Sequence, residues 1–555
     1  MWTASLGALR LTRPKRRLGL LGWTTVVVAV LLAFPLLAVL ANLFQGGGGS
    51  FLHLARTVLP RYIGNTALLL VAVSWGVISI GVLSAWLVTA YRFPGRRVLE
   101  WALMLPLAMP AYVMAYAYTD WLQFTGPVQT MLRDVFAWRA REYWFPEVRS
   151  LWGAAAMLSF ALYPYVYLIS RTAFLDISRH AIEAGRLAGL TPWESFFRVA
   201  VPLARPAIAA GTALALMETL ADFGTVSYFA VDVFTTGIFK AWLSMGDSVA
   251  AAQLSSCLLA FVALLLALER ASRGRAAYHS GAPRKPLPAQ PLHGALGILA
   301  LAACAAPVVF GFVVPVGILL DLVLGDPDAR WGERVFNLIG NSTTIAAVTA
   351  LAAVLLAATM AYAARLARSH LVTGANRLAS LGYAIPGAVI AVGVLVPLGR
   401  IDNWIAGLIE QTFGVQIGLL LTGTIIALVY AYLVRFLAIA LQTVEAGLAK
   451  VRPSMEDAAR SLGATAATTL RRVHVPLLAS SLATAALLVF VDVMKELPAT
   501  FALRPFNFDT LAVEAYHLAK DERLAEAAVP SLVIVAVGLL PLLFVSRRLI
   551  RPATE

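Results

Sequence analysis

The chain has 555 residues, of which 60% are hydrophobic and 13% are charged, and its formal net charge is +14. This composition excludes a water-soluble globular protein, in which charged residues make up about a quarter of the chain. It also favours a membrane protein over a nucleic-acid-binding one, because Lys and Arg collect in the cytoplasmic loops of membrane proteins. Cys257 and Cys304 both lie in apolar runs, so they indicate neither a disulfide framework nor a metal site.

The first predicted element is a membrane helix that follows a basic N-terminus. Residues 1–17 contain five Lys and Arg residues, and an apolar run extends from Leu18 to Phe44. This run is too long for the apolar core of a signal peptide, and no small-residue cleavage site follows it. We therefore expect a retained helix whose N-terminus is cytoplasmic.

Eleven further apolar runs are long enough to cross a bilayer of roughly 30 Å. They lie at about 66–90, 99–118, 151–170, 206–230 and 249–268, and then at about 294–321, 342–364, 378–398, 416–437, 479–502 and 526–547. The sequence therefore predicts an all-α integral membrane protein of twelve transmembrane helices. The predicted parts are a first half at 18–268, a cytoplasmic linker at 269–292, a second half at 293–548 and a cytoplasmic tail at 549–555.

The second half repeats the first at a nearly constant spacing. Residues 63–66 (Ile-Gly-Asn-Thr) return 276 positions later as residues 339–342 (Ile-Gly-Asn-Ser), and Pro110 returns as Pro386. Six spans return the chain to the side that it left, so both halves have the same orientation. This pattern predicts parallel repeats about an axis along the membrane normal, with both termini cytoplasmic.

A polar, basic stretch occurs once in each half. In the first half, at about 176–205, its landmarks are Glu183, Ala184, Gly185, Gly189 and Pro202; in the second half, at about 450–478, they are Asp457, Ala458, Ala459, Gly463 and Pro476. The acid, the later glycine and the proline each return after 274 residues. An acid followed by small residues is typical of a helix start that another protein can approach closely. A loop that merely covers the membrane surface is the alternative, but two copies in one register favour a docking element.

The basic residues of these two stretches have a possible partner of their own. Arg198, Arg471 and Arg472 are placed to hold lipid headgroups or an acidic rim.

Four acidic residues fall near the predicted midplane of the fifth and eleventh spans: Glu218, Asp222, Asp492 and Glu496. The members of each pair are four residues apart, so we expect both carboxylates on one helix face. Ionised carboxylates are costly in hydrocarbon and normally line a water-filled path or are paired. The sequence thus predicts an acidic pathway for a cation, without a permanent metal centre. The alternative is that Lys495 or Arg435 neutralises structural acids. Gly224 and Pro498, just beyond, are expected to bend these helices.

Signatures of catalysis are missing from the sequence. It contains no Gly-Lys dipeptide and hence no Walker A loop, so ATP hydrolysis is expected on separate subunits. It also has neither a nucleophile elbow nor a His-Glu-x-x-His helix, so we expect a chain that is not an enzyme.

The two repeated stretches resemble the EAA loop of binding-protein-dependent ABC importer permeases. Gly185 replaces the second Ala of the motif and Asp457 replaces its Glu, and the resemblance covers about 60–270 and 336–548. It implies coupling helices seated on two copies of an ATP-binding subunit, in a bacterial inner membrane. It also implies alternating access and a periplasmic substrate-binding protein that docks on the outer loops, at about 119–150, 231–247, 399–415 and 503–524.

Three short segments resemble the fused ferric-iron permeases of this family: residues 221–225 (Ala-Asp-Phe-Gly-Thr), 383–387 (Tyr-Ala-Ile-Pro-Gly) and 495–500 (Lys-Glu-Leu-Pro-Ala-Thr). Carboxylate oxygens suit a hard trivalent cation, but they also attract thiamine or a polyamine. Phosphonate is a further alternative, although an acidic channel opposes an anion. A secondary transporter that uses the acids as a proton relay is the alternative from another class, and it leaves the doubled stretch without a role.

Overall fold

The computed structural model describes residues 19–42, 49–139, 142–177, 187, 189–273, 289–325, 331–367, 369–416 and 418–550. Three sequence predictions lie outside these residues: the basic N-terminus at 1–17, residues 183–185 of the first repeated stretch, and most of the linker. The C-terminal tail is described only at its first two residues.

The described chain is almost entirely helical. The first half contains α1 (Leu20–Ala41), α2 (Gly49–Thr57), α3 (Leu59–Ala90), α4 (Arg96–Ala102), a 3-10 turn (Leu105–Ala108), α5 (Ala111–Leu122), α6 (Pro127–Phe136), α7 (Leu151–Asp176), α8 (Pro192–Ser195), a π turn (Phe196–Ala200), α9 (Val201–Ala221), α10 (Gly224–Tyr228), α11 (Phe234–Phe239), a π turn (Lys240–Ser244) and α12 (Ser248–Arg273). Strand β1 (Tyr91–Arg92) pairs in parallel with β2 (Gln290–Pro291), so the end of the linker is hydrogen-bonded to the loop after α3.

The second half follows the same order. It contains α13 (Gly294–Val308), a π turn (Val309–Val313), α14 (Val314–Gly325), α15 (Glu333–Ala367), α16 (His370–Ser380), a 3-10 turn (Leu381–Ala384), α17 (Gly387–Phe413), α18 (Ile425–Ala449), α19 (Pro453–Ser461), α20 (Ala466–Thr469), a π turn (Leu470–His474), α21 (Val475–Met494), α22 (Pro498–Leu503), α23 (Leu511–Lys520) and α24 (Leu524–Ile550).

The number of membrane spans agrees with the sequence prediction. Within the described ranges, eleven helices or continuous helical runs are long and apolar enough to cross a bilayer. The helical pair at 96–108 and 111–136 is bent by 91° at Met109 and Pro110, and it gives a twelfth span if the pair is counted as one broken helix. The predicted all-α fold of two six-helix halves is therefore confirmed.

Two predicted spans end earlier than expected. The span predicted at 206–230 ends with α9 at Ala221, and the one predicted at 479–502 ends with α21 at Met494. A short helix begins after each break, at Gly224 and at Pro498, the two residues expected to bend these spans. Proline suits the first turn of a helix, where its missing N–H has no intrahelical acceptor. Gly224 is needed for close packing, because a Cβ there would lie 2.7 Å from the Cβ of Tyr112.

The repeat extends to irregular backbone features. The π turns at Phe196–Ala200 and Leu470–His474 lie 274 residues apart, and each is followed by a proline two residues later. A proline inside a continuous helix removes one hydrogen bond and clashes with the carbonyl four residues earlier, and a wider turn relieves that clash. Pro202 and Pro476 therefore explain why the same irregularity occurs in both halves.

The Ile-Gly-Asn motif also has the same role in both halves. Asn65 donates a hydrogen bond from Nδ2 to the carbonyl of Asp232 at 2.8 Å, and Asn341 donates one to the carbonyl of Asp509 at 3.0 Å. Each asparagine thus holds the loop that follows the broken span of its own half.

The chain packs as two compact units. One comprises residues 1–34, 350–383 and 436–489, and the other comprises 35–349, 384–435 and 490–555. All four predicted midplane acids belong to the larger unit. The second repeated stretch belongs to the smaller unit, whereas the described residues of the first belong to the larger one.

Candidate functional site

The acidic cluster is built around Arg435 of α18. Its guanidinium lies 3.5 Å from a carboxylate oxygen of Glu218 and 3.4 Å from one of Glu496. The side chains of Arg435 and Glu496 are 8% and 2% exposed, while that of Glu218 is 23% exposed. One cation therefore joins an acid of the first half to an acid of the second.

Gly387 provides the space for this ion pair. A Cβ at this position would lie 2.7 Å from Oε1 of Glu496 and 2.8 Å from Nη1 of Arg435. Such contacts are too short for any side chain, so the glycine that ends the 383–387 segment lets the two charged groups meet against the start of α17.

Asp222 and Glu496 do not lie on helix faces with their partners, contrary to the sequence prediction. Each stands beyond the end of its helix, because the predicted spans break there, and each binds the short helix that follows. Asp222 accepts hydrogen bonds from the N–H of Val226 at 3.1 Å and the hydroxyl of Thr225 at 3.0 Å. These contacts satisfy donors at the helix start that otherwise have no intrahelical acceptor.

Glu496 makes the same kind of contact in the second half. Its two carboxylate oxygens accept from the N–H groups of Ala499 at 2.9 Å and Thr500 at 3.0 Å, and from the Thr500 hydroxyl at 2.7 Å. An acid followed three or four residues later by threonine is the sequence signal that would have indicated this capping role.

The remaining acid, Asp492, is paired with a neighbour on the chain. Lys495 Nζ lies 2.8 Å from its carboxylate. The four predicted acids, Arg435 and Lys495, together termed the acidic cluster, have a formal charge of −2 when all six groups are ionised. Both neutralising residues considered from the sequence, Arg435 and Lys495, are present, but they balance only half of the acidic charge.

Hydroxyl groups surround the acids, and sequence reasoning missed them. The Tyr432 hydroxyl lies 2.5 Å from Oγ1 of Thr500, and the Tyr516 hydroxyl lies 2.7 Å from Oγ of Ser227. Tyr112 is 6% exposed, and its hydroxyl has no hydrogen-bond partner among the described residues. It lies near enough to Glu496 and Asp222 to interact electrostatically with both.

In the first repeated stretch, the described residues begin a new helix directly after a glycine. Gly189 has φ of +84°, which favours glycine, and Thr191 and Glu194 form a reciprocal capping box around α8. Pro202 is exposed at the start of α9. Phe196 is buried among aromatic rings, with centroid distances of 5.2 Å to Trp86 and 6.4 Å to Phe174.

In the second repeated stretch, α19 is held by charged groups. Arg365 donates from Nε to the Glu456 carboxylate and from Nη2 to the carbonyl of Val451 at 2.7 Å. His474, which is 1% exposed, places Nε2 3.3 Å from the same carboxylate. Glu456 therefore faces the surrounding helices, whereas its neighbours Asp457 and Ala458 are exposed and Ala459 is half-buried.

A glycine in the same conformation follows α19. Gly463 has φ of +80°, and the N–H of Ala464 bonds back to the carbonyl of Ala459 at 3.0 Å. This is the arrangement of a helix end closed by a left-handed glycine. The glycine six residues after the acid is thus required by the helix end, and Pro476 is exposed beyond the π turn.

Repeated sets of membrane helices with a buried charged cluster define a membrane transport subunit. Residues 77–274 and 353–551 each match the family described as the binding-protein-dependent transport system inner membrane component. The two matches together cover more than half of the chain, and the chain belongs to this family. It is therefore a multi-pass inner-membrane permease of an ABC importer, and the predicted membership of the binding-protein-dependent permeases is confirmed.

Three relatives differ in what their names say they transport. The chain is 27% identical over 534 residues to the Fe(3+)-transport system permease protein FbpB 2 of Haemophilus influenzae, covering 95% of this chain and 98% of that protein. It is 28% identical over 254 residues to the sulfate transport system permease protein CysT of Escherichia coli, covering 44% of this chain and 88% of that protein. It is 30% identical over 206 residues to the molybdenum transport system permease protein ModB of Escherichia coli, covering 35% of this chain and 87% of that protein.

Proposed function

We propose that this permease moves ferric iron, which a periplasmic binding protein delivers. The observation that supports this most is that the acidic cluster holds a guanidinium between Glu218 and Glu496 and still carries more acid than base. A site that already stabilises the buried Arg435 guanidinium and still has a negative formal charge suits a hard trivalent ion. The similarity to FbpB 2 over nearly the whole chain also favours iron.

An oxyanion is the second candidate. CysT and ModB, by their names, serve sulfate and molybdenum, and Arg435 and Lys495 provide two cationic groups in the cluster. The four surrounding carboxylates oppose an anion, because like charges in a partly buried site repel strongly. We therefore favour the cation.

The energy for transport comes, in this proposal, from two copies of an ATP-binding subunit. The coupling surface in the second half is formed by Asp457, Ala458, Ala459, Gly463 and Pro476, and in the first half by Glu183, Ala184, Gly185, Gly189 and Pro202. The exposure of Asp457 and Ala458, opposite the buried contacts of Glu456, supports the role of α19 as a contact surface. No cofactor is bound permanently by this chain, and ATP is used by the partners.

The remaining features of the proposal concern topology. Both termini and the linker at 269–292 are cytoplasmic, and the halves extend over 18–268 and 293–548. The binding protein docks on the opposite face, and lipid headgroups meet Arg198, Arg471 and Arg472, which are exposed. ATP closure and hydrolysis alternate the access of the acidic cluster between the two sides.

The experiment is iron uptake by vesicles that contain the full chain, its ATP-binding subunits and its binding protein. The test variant combines Glu218→Gln and Asp492→Asn, because neither carboxylate caps a helix. The matched control is Glu410→Gln, an exposed acid of α17. We expect the test variant to lose about tenfold or more of uptake while stimulated ATP hydrolysis persists. Unchanged iron uptake by the test variant would contradict the acidic pathway, and wild-type uptake of sulfate or molybdate in place of iron would favour the second candidate.

A further inference from the structure

The ion pairs of Arg435 with Glu218 and Glu496 are longer than the neighbouring ion pair between Lys495 and Asp492. Their two nitrogen–oxygen distances are 3.4 and 3.5 Å, whereas Lys495 and Asp492 are 2.8 Å apart. Strong charge-assisted hydrogen bonds are about 2.7–2.9 Å long. Arg435 is thus placed between two carboxylates without being bound tightly to either.

This arrangement occurs in only one of the two repeats. The residue 274 positions before Arg435 is Ala161, and the residue 276 positions before Gly387 is Ala111. The acids, in contrast, return in both halves. The basic group and the glycine that makes room for it are therefore not part of the repeated pattern.

A buried oxygen without a partner among the described residues lies near one of the two acids paired with Arg435, Glu496, and near Asp222. The Tyr112 hydroxyl accepts and donates no hydrogen bond within the described ranges, although the residue is 6% exposed and interacts electrostatically with Glu496 and Asp222. Burying a hydroxyl without a partner is costly. A cation that enters between the carboxylates could be coordinated by this oxygen, which would then have a partner.

We propose that Arg435 is a tethered counter-cation that only a multivalent cation displaces, so that this side chain sets the valence of the cargo. The inference rests on the proposed cationic cargo. The Coulomb energy of an ion between two carboxylates grows with its charge. A monovalent ion gains no more than the guanidinium does, and the guanidinium is always present at high effective concentration because it is tethered. A trivalent ion gains about three times as much Coulomb energy, and it replaces the guanidinium when this gain exceeds its larger cost of dehydration.

The proposal is tested with Tb³⁺ as the trivalent probe, bound to the full chain in lipid nanodiscs and followed by its luminescence. Na⁺ and Ca²⁺ serve as competitors. The double variant E218Q/D492N removes two carboxylates that cap no helix and keeps Glu496 paired with Arg435, so the difference between it and wild type reports binding at this site in a folded chain. We expect wild type to keep Tb³⁺ in excess Na⁺, to lose part of it to Ca²⁺, and to bind more Tb³⁺ than the double variant.

In Arg435→Gln the guanidinium no longer competes, so we expect Tb³⁺ to bind about tenfold more tightly and Na⁺ to become an effective competitor. Arg435→Lys keeps the charge, which protects the fold, but an ammonium is a point charge and bridges two carboxylates poorly. It should bind Tb³⁺ with intermediate affinity and still exclude Na⁺.

Two outcomes would overturn the inference in different ways. If Tb³⁺ binds at the acids but both Arg435 variants show wild-type affinity and wild-type resistance to Na⁺, Arg435 does not set the valence, and the proposed cation pathway stands. If wild type and E218Q/D492N bind Tb³⁺ equally, the acids do not hold a cation, and the proposed function fails together with the inference.

Discussion

In the first half, the break after α9 leaves Asp222 bound to Thr225 and to the backbone of α10. In the second half, the break after α21 leaves Glu496 bound to Thr500 and the backbone of α22, and also against Arg435. The capping role is the same, whereas the charged partner is present in only one half. A duplicated backbone irregularity thus persists while the side chains around it change.

The repeated stretches differ in the same manner. The first is held by the rings of Phe196, Trp86 and Phe174, and the second by Arg365, Glu456 and His474. Glycine and threonine recur at equivalent places, with Thr191 and Thr465 both capping the short helix that follows the glycine. The duplicated features are those that the backbone needs, and each half has its own packing.

Matched substitutions in the two halves should differ most in their effect on stability at the two helix breaks, after α9 and after α21. Glu496→Gln should lower the free energy of unfolding by about 3–5 kcal/mol, because it leaves Arg435 buried with only one acidic partner of the pair. Asp222→Asn should cost only about 1 kcal/mol, since asparagine also caps helices and Asp222 forms no ion pair with another described residue. Thermal unfolding of the purified chain in detergent measures both, and equal losses would show that the ion pair adds nothing to the second break.

The two anchors of the repeated stretches provide the next comparison. Arg365→Met should cost about 1.5–3 kcal/mol, because it removes hydrogen bonds that a charged group makes to Glu456 and to the carbonyl of Val451. Phe196→Leu in the first half should cost about 1–1.5 kcal/mol, because most of the apolar volume remains and chiefly the ring–ring contacts are lost. Thermal unfolding in detergent measures both variants. A larger loss of unfolding free energy for Phe196→Leu than for Arg365→Met would show that the aromatic contacts are the stronger anchor.

The glycines should behave alike in both halves. Gly189→Ala and Gly463→Ala should each cost about 1–2 kcal/mol, because the left-handed backbone disfavours any Cβ. A Cβ at either position would meet no heavy atom within 4 Å, so crowding adds nothing. Gly399→Ala is the control: it has open space and no positive φ, and because it lies inside α17 it should stabilise the chain by about 0.5–1 kcal/mol. Unequal losses for Gly189 and Gly463 would mean that the two turns are not equivalent.

The smallest expected effect also tests equivalence. Asn65→Ala and Asn341→Ala should each lower stability by about 1 kcal/mol, the value of one ordinary hydrogen bond, because each donates to a single loop carbonyl. Hydrogen exchange of the loops that contain Asp232 and Asp509 reports the change locally. Faster exchange in only one loop would indicate that the motif has kept its role in one half alone.

The sequence by itself determined the membrane class, the twelve spans and the duplication. The backbone N–H and C=O groups of a long apolar run find hydrogen-bond partners in a bilayer when the run is helical. The number and spacing of such runs therefore indicate the architecture without knowledge of side-chain contacts. The constant offset of 274 residues located Gly189, Gly463, Pro202 and Pro476, and the structure supplies the backbone reasons for these residue types: a left-handed turn and a widened one.

Only the tertiary structure decided the partners of the acids. A spacing of four residues indicates one helix face only while the helix continues, and both helices end before Asp222 and Glu496. Arg435 lies 217 positions from Glu218 in the chain, and Gly387 is far from both in sequence. Such neighbours are set by how helices pack, because hydrophobic periodicity records which face is buried but carries no information about which distant side chain meets it.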